Sequence, residues 1–396
     1  MWHIGGDKEV NMIPTAYGGI GIPMVGFCLL LVLAAGCLVP EYGVGRDIMV
    51  FKVDAGGTEQ WQTVIDTGGD DTATSMIQTA DGGYLIGGEV WPWRGDRSYG
   101  IFKVDSNGAV VWNVTGRRGD DRISSVVQTT MGTIVAVSSS STSGSRILLF
   151  DLAGDLLDRD VQDAEADGIL QSVVGTFDGG VVVAGTAGGD LLVLKRDRNL
   201  TGEWQKTYGP TTGTASAKII IRTSDGGYLV GGPIYLPDRT GSDVWILRLD
   251  AAGDLLWDVT LGTPLLYNDV HFMSEAPGGE CTVIYNNVTL EEVIFDPEGN
   301  VLEERTLNAS TPIIKTIDEG YVSGTVTYRS ASRLLLLPDR VGVPHVMKLN
   351  ADGLPEWDTE LNATFELLGD AVSVIQTADG GYALLVNRHN YPREPR

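Results

Sequence analysis

One octapeptide, DGGYLIGG, begins at Asp81, and close copies follow from Asp178, Asp225 and Asp379. A second motif travels with it: FKVDAGGTEQW ends at Trp61 and FKVDSNGAVVW at Trp112, with further versions ending at Trp204, Trp257 and Trp357. Each Trp stands seven places after an Asp or Asn. Two degenerate copies, LLFDLAGDLLD and VIFDPEGNVLE, fill the gaps. The anchors Asp54, Asp105, Asp151, Asp197, Asp250, Asp296 and Asn350 therefore mark seven units at a mean spacing of about 49 residues, the range of repeat architectures. At 396 residues the chain has the length of two or three average domains, but a periodic sequence can also form one large closed repeat domain.

Each unit splits into four apolar runs, as at 72–79, 84–90, 99–104 and 109–115, with Asp-Gly-Gly between the first two and Asp-x-x-Gly between the last two. Gly supplies the positive φ that tight hairpins need, and Asp bonds back to the turn amides. With 43% apolar residues and 52 Gly, the chain reads as all-β. Four antiparallel strands per unit, seven times over, predict a seven-bladed β-propeller, whose blades bury faces that no single blade could bury alone. The body starts with a third-and-fourth strand pair, 47–53 and 59–65, and ends with a first-and-second pair, 371–377 and 382–386. Neither half can stand alone, so a shared blade with two-plus-two closure is expected. The domain plan is an N-terminal hydrophobic segment over 1–40, the propeller over 41–390 and a tail over 391–396.

The stretch SMIQTADGGYLIGG…YGIFKVDSNGAVVW resembles the strand order of WD-repeat propellers, without their Trp-Asp ending. It more closely resembles the propeller repeat proteins of archaeal and bacterial cell surfaces, with their T-x-DGGY and K-x-D-x-x-G-x-x-x-W units. The G-x-x-x-W piece is also similar to the docking motif of pyrroloquinoline quinone (PQQ) propellers. The resemblance covers 46–387 and implies fold and a surface location, but almost nothing of chemistry. A PQQ dehydrogenase would bring a calcium-bound quinone stacked on a vicinal disulfide. The three cysteines, Cys28, Cys37 and Cys281, include no adjacent pair, so no cofactor is required by the resemblance.

The balance of 28 basic against 52 acidic residues gives a net charge of −24, which repels phosphate backbones and argues against nucleic acid as a partner. Residues 20–39 carry no charge, enough to cross a bilayer as a helix. They end on Ala34-Ala35-Gly36-Cys37, similar to a lipobox, so lipidation of Cys37, an uncleaved anchor and a plain secretory signal are the three readings. All three export the body, leaving the N-terminus as its membrane contact. Asn113, Asn199, Asn287, Asn308 and Asn362 head N-x-S/T sequons, acceptor sites wherever a glycosylation system exists.

Residues for chemistry are sparse. The four histidines follow no metal spacing, and no nucleophile elbow or P-loop is present. His271 lies on a run expected to be an innermost strand, where side chains reach the channel. Long connections between second and third strands carry Trp91, Trp93, Tyr235 and the leucines 334–337. Trp91, Trp93, Tyr235 and His271 are the candidates for a ligand-contact face. Acids gather where the chain enters the innermost strands, at Asp70, Asp71, Asp120, Asp121, Asp167, Asp269 and Asp370. Asp71, Asp121, Asp167, Asp269 and Asp370 would ring the channel mouth, either as a calcium site or as solvated turn residues. Lys52, Lys103, Lys195, Arg248 and Lys348 accompany the five Trp and are lost with them, which predicts a cation over each indole across the ladder if the hairpin loop holds four residues, whereas a three-residue loop puts the two on opposite faces. The expected function is a monomeric, cell-surface or secreted scaffold that binds a protein, glycan or small molecule. The alternative is a carboxylate-based hydrolase or lyase with its site at the channel mouth.

Overall fold

The computed structural model describes residues 45–92, 95–116, 121–140, 144–161, 168–263, 266–330, 340–362 and 369–389. The segment 1–40, Trp93, Asp120, Asp167, the leucines 334–337 and the tail lie outside them. No helix of the described residues is long and apolar enough to cross a membrane.

The strands pair into seven antiparallel sheets. In blade 1, Gly69–Gln78, Tyr84–Pro92, Ser98–Val104 and Val110–Thr115 lie side by side in chain order. Blades 2 to 6 repeat this, with first strands Arg122–Gln128, Ile169–Gly175, Ile219–Arg222, Asp269–Glu275 and Ile313–Lys315. In blade 4 the first strand is broken, and Thr214–Ala215 pairs separately with Tyr228–Tyr235. Blade 7 joins the two ends of the body. Arg46–Val53 pairs with Glu59–Ile65 on one side and Tyr382–His389 on the other, and Gly369–Gln376 completes the sheet. Every first strand touches those of both neighbouring blades, so the ring closes as a seven-bladed β-propeller, two-plus-two.

The repeated motifs make the bonds that hold the blades. At the first hairpin Thr79 N–H donates to Gly83 O, and the Asp81 carboxylate accepts from Gly83 N–H and the Thr79 hydroxyl. The cation of the third strand then reaches this same aspartate: Lys103 to Asp81 at 3.0 Å, Lys195 to Asp178 at 2.7 Å, Arg248 to Asp225 at 2.7 Å, Lys348 to Asp318 at 3.0 Å and Lys52 to Asp379 at 3.0 Å. Lys103 does stand opposite Trp112 in register, and Lys52 opposite Trp61. The cations over rings among the described residues are nevertheless Arg97, Lys206, Arg222 and Arg305, none of the five. The expected cation–indole pairs are therefore corrected to cation–carboxylate pairs. A charge-assisted hydrogen bond within reach outweighs an exposed cation–π contact of about 0.5–1 kcal/mol. The joint losses fit: where the cation is Leu149 or Ile294, the aspartate position holds Met131 or Gly278.

These turns make stability depend on acid. Burial alone would raise Asp81, Asp225 and Asp379, but hydrogen bonds from the threonine, the cation and the turn amide outweigh it and hold each at about 2. Asp178 is held at about 2, first by Lys195 and then by Thr176. An unfolded aspartate titrates near ~3.9. The folded values are depressed, so the contribution is complete above pH ~4 and is lost as pH falls toward ~2. Denaturant midpoints measured between pH 5 and 2 are expected to stay level above pH ~4 and fall below it, and Lys103→Met is expected to make that fall shallower.

The tryptophans lock each blade to the next. Trp61 donates from Nε1 to Ser106 O at 3.1 Å, and its ring lies on Gly108, whose φ is 89°. A Cβ at Gly108 would come within 2.7 Å of that ring. Trp112 docks likewise on Leu152 O and Gly154, and Trp257 on Pro297 O and Gly299. Trp204 lies on Gly253, and Trp357 on Gly57, which closes the ring. Two blades lack the Trp and solve the interface otherwise. In blade 2, Asp158 stands opposite Leu149, and blade 3 answers with Leu200 at the turn-glycine place. Leu200 has φ 63°, is 6% exposed and packs in one cluster with Leu149 and Leu194. In blade 5, Glu303 stands opposite Ile294, and a polar network takes over. Fully buried Glu292 accepts from Arg305 at 2.5 Å and from the Tyr321 hydroxyl of blade 6 at 2.7 Å, with Lys315 at 3.6 Å.

Candidate functional site

Strand direction sorts the loops onto two faces. The Asp-Gly-Gly and Asp-x-x-Gly hairpins share one. Connections from second to third strands, and from fourth strands to the next blade, share the other, and the described acids and contact-face candidates of the sequence lie there.

The acids of this face are held one by one. Arg46 takes Asp70 through Nε and an Nη, at 2.9 and 3.0 Å. Buried Asp121 pairs with Arg146, and Asp269 with Lys218 at 2.5 Å. Asp370 is exposed, 3.7 Å from His389. Asp71 is fully buried and accepts from the Thr67 N–H and hydroxyl, each at 2.6 Å. Of the predicted acids that are described, Asp71 alone meets other carboxylates: its oxygen, one of Asp47 and one of Asp66 lie within 4.8 Å of one another. Burial is the main cause of its raised carboxyl, opposed by Thr67 and reinforced by Asp66 and Asp47. Buried Asp47 in turn accepts from Arg388.

The same face carries a cleft of about 510 Å³ across blades 1 to 3. Glu89 and Trp91 come from the end of one second strand, Arg97 from just before the third strand, Arg122 and Ser139 from blade 2 and Ile169 from blade 3. Trp91 is fixed from two sides. Its Nε1 donates to Gly95 O at 3.2 Å, and the Arg97 guanidinium stacks 4.5 Å from its ring, itself paired with Glu89 at 3.3 Å. The indole still presents 43% of its surface, and Ile169 presents 47%. An anchored, exposed aromatic beside cations and hydroxyls is what a pre-organised ligand site requires.

The other candidates of the contact face lie elsewhere on the ring. Tyr235 is 44% exposed in blade 4. His271 is the bulge residue of the first strand of blade 5, with Nε2 3.1 Å from Asn286 Oδ1. Burial, then Lys218, lowers its pKa, so the ring is neutral at pH 7. Cys281 is buried, which pushes its thiol up to about 11 and leaves it unreactive. Among the sequons, Asn113, Asn199, Asn308 and Asn362 are exposed and Asn287 is partly so. Glu89, Arg97, Arg122, Ser139 and Ile169 are among the site residues that sequence reasoning missed. They are far apart in the chain, and only the ring brings them together.

No protein-family model matches the chain, and no curated protein matches it. Among solved structures, the chain is similar to a protein of unknown function from Bacteroides caccae, at 17% identity over 71% of this chain and 94% of that one, with a TM-score of 0.44. It is also similar to Drosophila Plexin A, solved in complex with Semaphorin 1b, at 9% identity over 87% and 88%, TM-score 0.44. A third is a gluconolactonase from Xanthomonas campestris, at 14% identity over 64% and 82%, TM-score 0.38. The propeller assignment rests on the strand pairing described above and not on these likenesses.

Proposed function

We propose that this propeller is an exported binding scaffold that holds its ligand in the cleft at Trp91, Arg97 and Arg122 without turning it over. The observation that supports this is the anchored Trp91, held by Gly95 and Arg97 yet open to solvent. Export through the apolar segment 20–39, with lipid on Cys37 or the segment retained, agrees with exposed sequon asparagines and the strongly acidic charge. The protein then works as a monomer on the outer face of the membrane or free outside it.

A screen of glycans and metabolites against the full chain tests this reading. Trp91→Ala is expected to weaken the best hit at least about tenfold, the loss typical of an aromatic anchor. Hits that bind Trp91→Ala unchanged would move the site elsewhere.

The second reading, a hydrolase or lyase using paired carboxylates, draws on the raised carboxyl of Asp71 beside Asp47 and Asp66. Full burial of Asp71 and Asp47 counts against it, because a general acid must reach its substrate. A calcium ion on this face belongs at the same three residues. Its signature is a melting temperature that rises over millimolar calcium and stops rising in Asp71→Asn. A curve that does not move removes the ion and leaves the acids as the ion pairs and turns already described.

A further inference from the structure

We infer that the cleft takes a carboxylated sugar ring, a uronate within an oligosaccharide. This rests on the cleft being the binding site. Among the described residues, four other cations of this face are paired: Arg46 with Asp70, Arg146 with Asp121, Lys218 with Asp269 and Arg388 with Asp47. Within the cleft Arg97 is matched by Glu89, but among the described residues no carboxylate pairs with exposed Arg122. The described lining of the cleft is therefore cationic by one charge, in a chain of net charge −24. An anion that settles there must be held by short-range contact, because the field of the whole protein repels it. One guanidinium matches one carboxylate in a fork geometry. A phosphate dianion would bring one negative charge more than Arg122 offsets.

The remaining lining fits the rest of such a ring. The open face of Trp91 accepts the flat C–H face of a pyranose, and Ile169 adds a second apolar wall. Glu89 and Ser139 supply acceptor and hydroxyl groups for sugar hydroxyls, whereas a purely aromatic acid would leave them unpaired. The volume of about 510 Å³ lies inside the ~300–1,000 Å³ range of small-molecule sites, and the open mouth leaves a chain free to continue on either side.

The test is calorimetric titration of the full chain with trimers of galacturonate, glucuronate and mannuronate, each beside its methyl ester and the matching neutral trimer. At least one acid trimer is expected to bind, and to lose tenfold or more in affinity as its ester. Arg122→Gln and Trp91→Ala are each expected to weaken it tenfold or more, with the melting temperature of Arg122→Gln unchanged because that side chain is exposed. Esters or neutral trimers that bind as well as the acids, and still depend on Trp91, would overturn the uronate and keep the cleft. Acid binding indifferent to both substitutions would overturn both. No binding by any acid trimer at millimolar concentration would overturn the uronate alone, the wider screen then deciding the cleft.

Discussion

Arg305→Ala is expected to destabilise the propeller by about 3 kcal/mol, at the low end of the 3–5 kcal/mol for stripping one partner from a buried pair, since Arg305 is a quarter exposed. The substitution leaves Glu292 with no exposure at all, facing only the Tyr321 hydroxyl and Lys315 at 3.6 Å. It also removes the guanidinium that stacks 5.3 Å from the Tyr321 ring. Most of the loss is the cost of an uncompensated buried charge. Adding Glu292→Leu should therefore restore a large part of it, because an apolar side chain of similar size needs no partner. Urea denaturation of the two single variants and the double gives the coupling. A double variant no more stable than Arg305→Ala would show that the network holds blades 5 and 6 by shape and not by charge.

Trp357→Ala is expected to cost about 3 kcal/mol and to act on the closure of the ring. Its indole lies on Gly57 and 5.8 Å from the Tyr382 ring, so it is the docking contact between blade 6 and the blade that joins the two ends of the chain. Large aromatic truncations at packed sites cost ~3–5 kcal/mol, and the partial exposure of this Trp puts it at the lower end. The equivalent Trp112→Ala removes a contact between two blades continuous in sequence. If closure matters as the geometry indicates, hydrogen exchange in 382–389 and 46–53 accelerates in the Trp357 variant and not in the Trp112 variant. Equal exchange in both would mean that the strand pairing of blade 7 suffices without the docked indole.

The repeat made the architecture legible because each hairpin carries its own turn chemistry. Asp-Gly-Gly sets the strand reversal at four first hairpins, Gly132, Gly279 and Glu319 take the same positive φ at the other three, and seven such reversals leave few closed arrangements. The Lys–Trp expectation failed for a reason that the sequence also contained. Asp81, Asp178, Asp225, Asp318 and Asp379 disappear in the same two blades as the cations, and a carboxylate is the better partner. The replacements at the two Trp-less interfaces were not legible. Leu200 and the Glu292 network fill space only in relation to the neighbouring blade, and one unit alone holds no trace of that space. The acids at the channel mouth were visible as a pattern, but their partners Arg46, Arg146 and Lys218 come from other strands or another blade. Trp91 stood out as an aromatic in a long connection. The cleft around it did not, since Arg122 and Ile169 reach it from the next two blades.

A crystal structure of the protein bound to the best ligand of the screen tests the functional account most directly. It predicts the ligand in the cleft of blades 1 to 3, with an apolar face on the open side of Trp91 and an anionic group within hydrogen-bond reach of Arg122. A ligand seated instead beside Tyr235 or His271, with the Trp91 cleft holding only solvent, would contradict it.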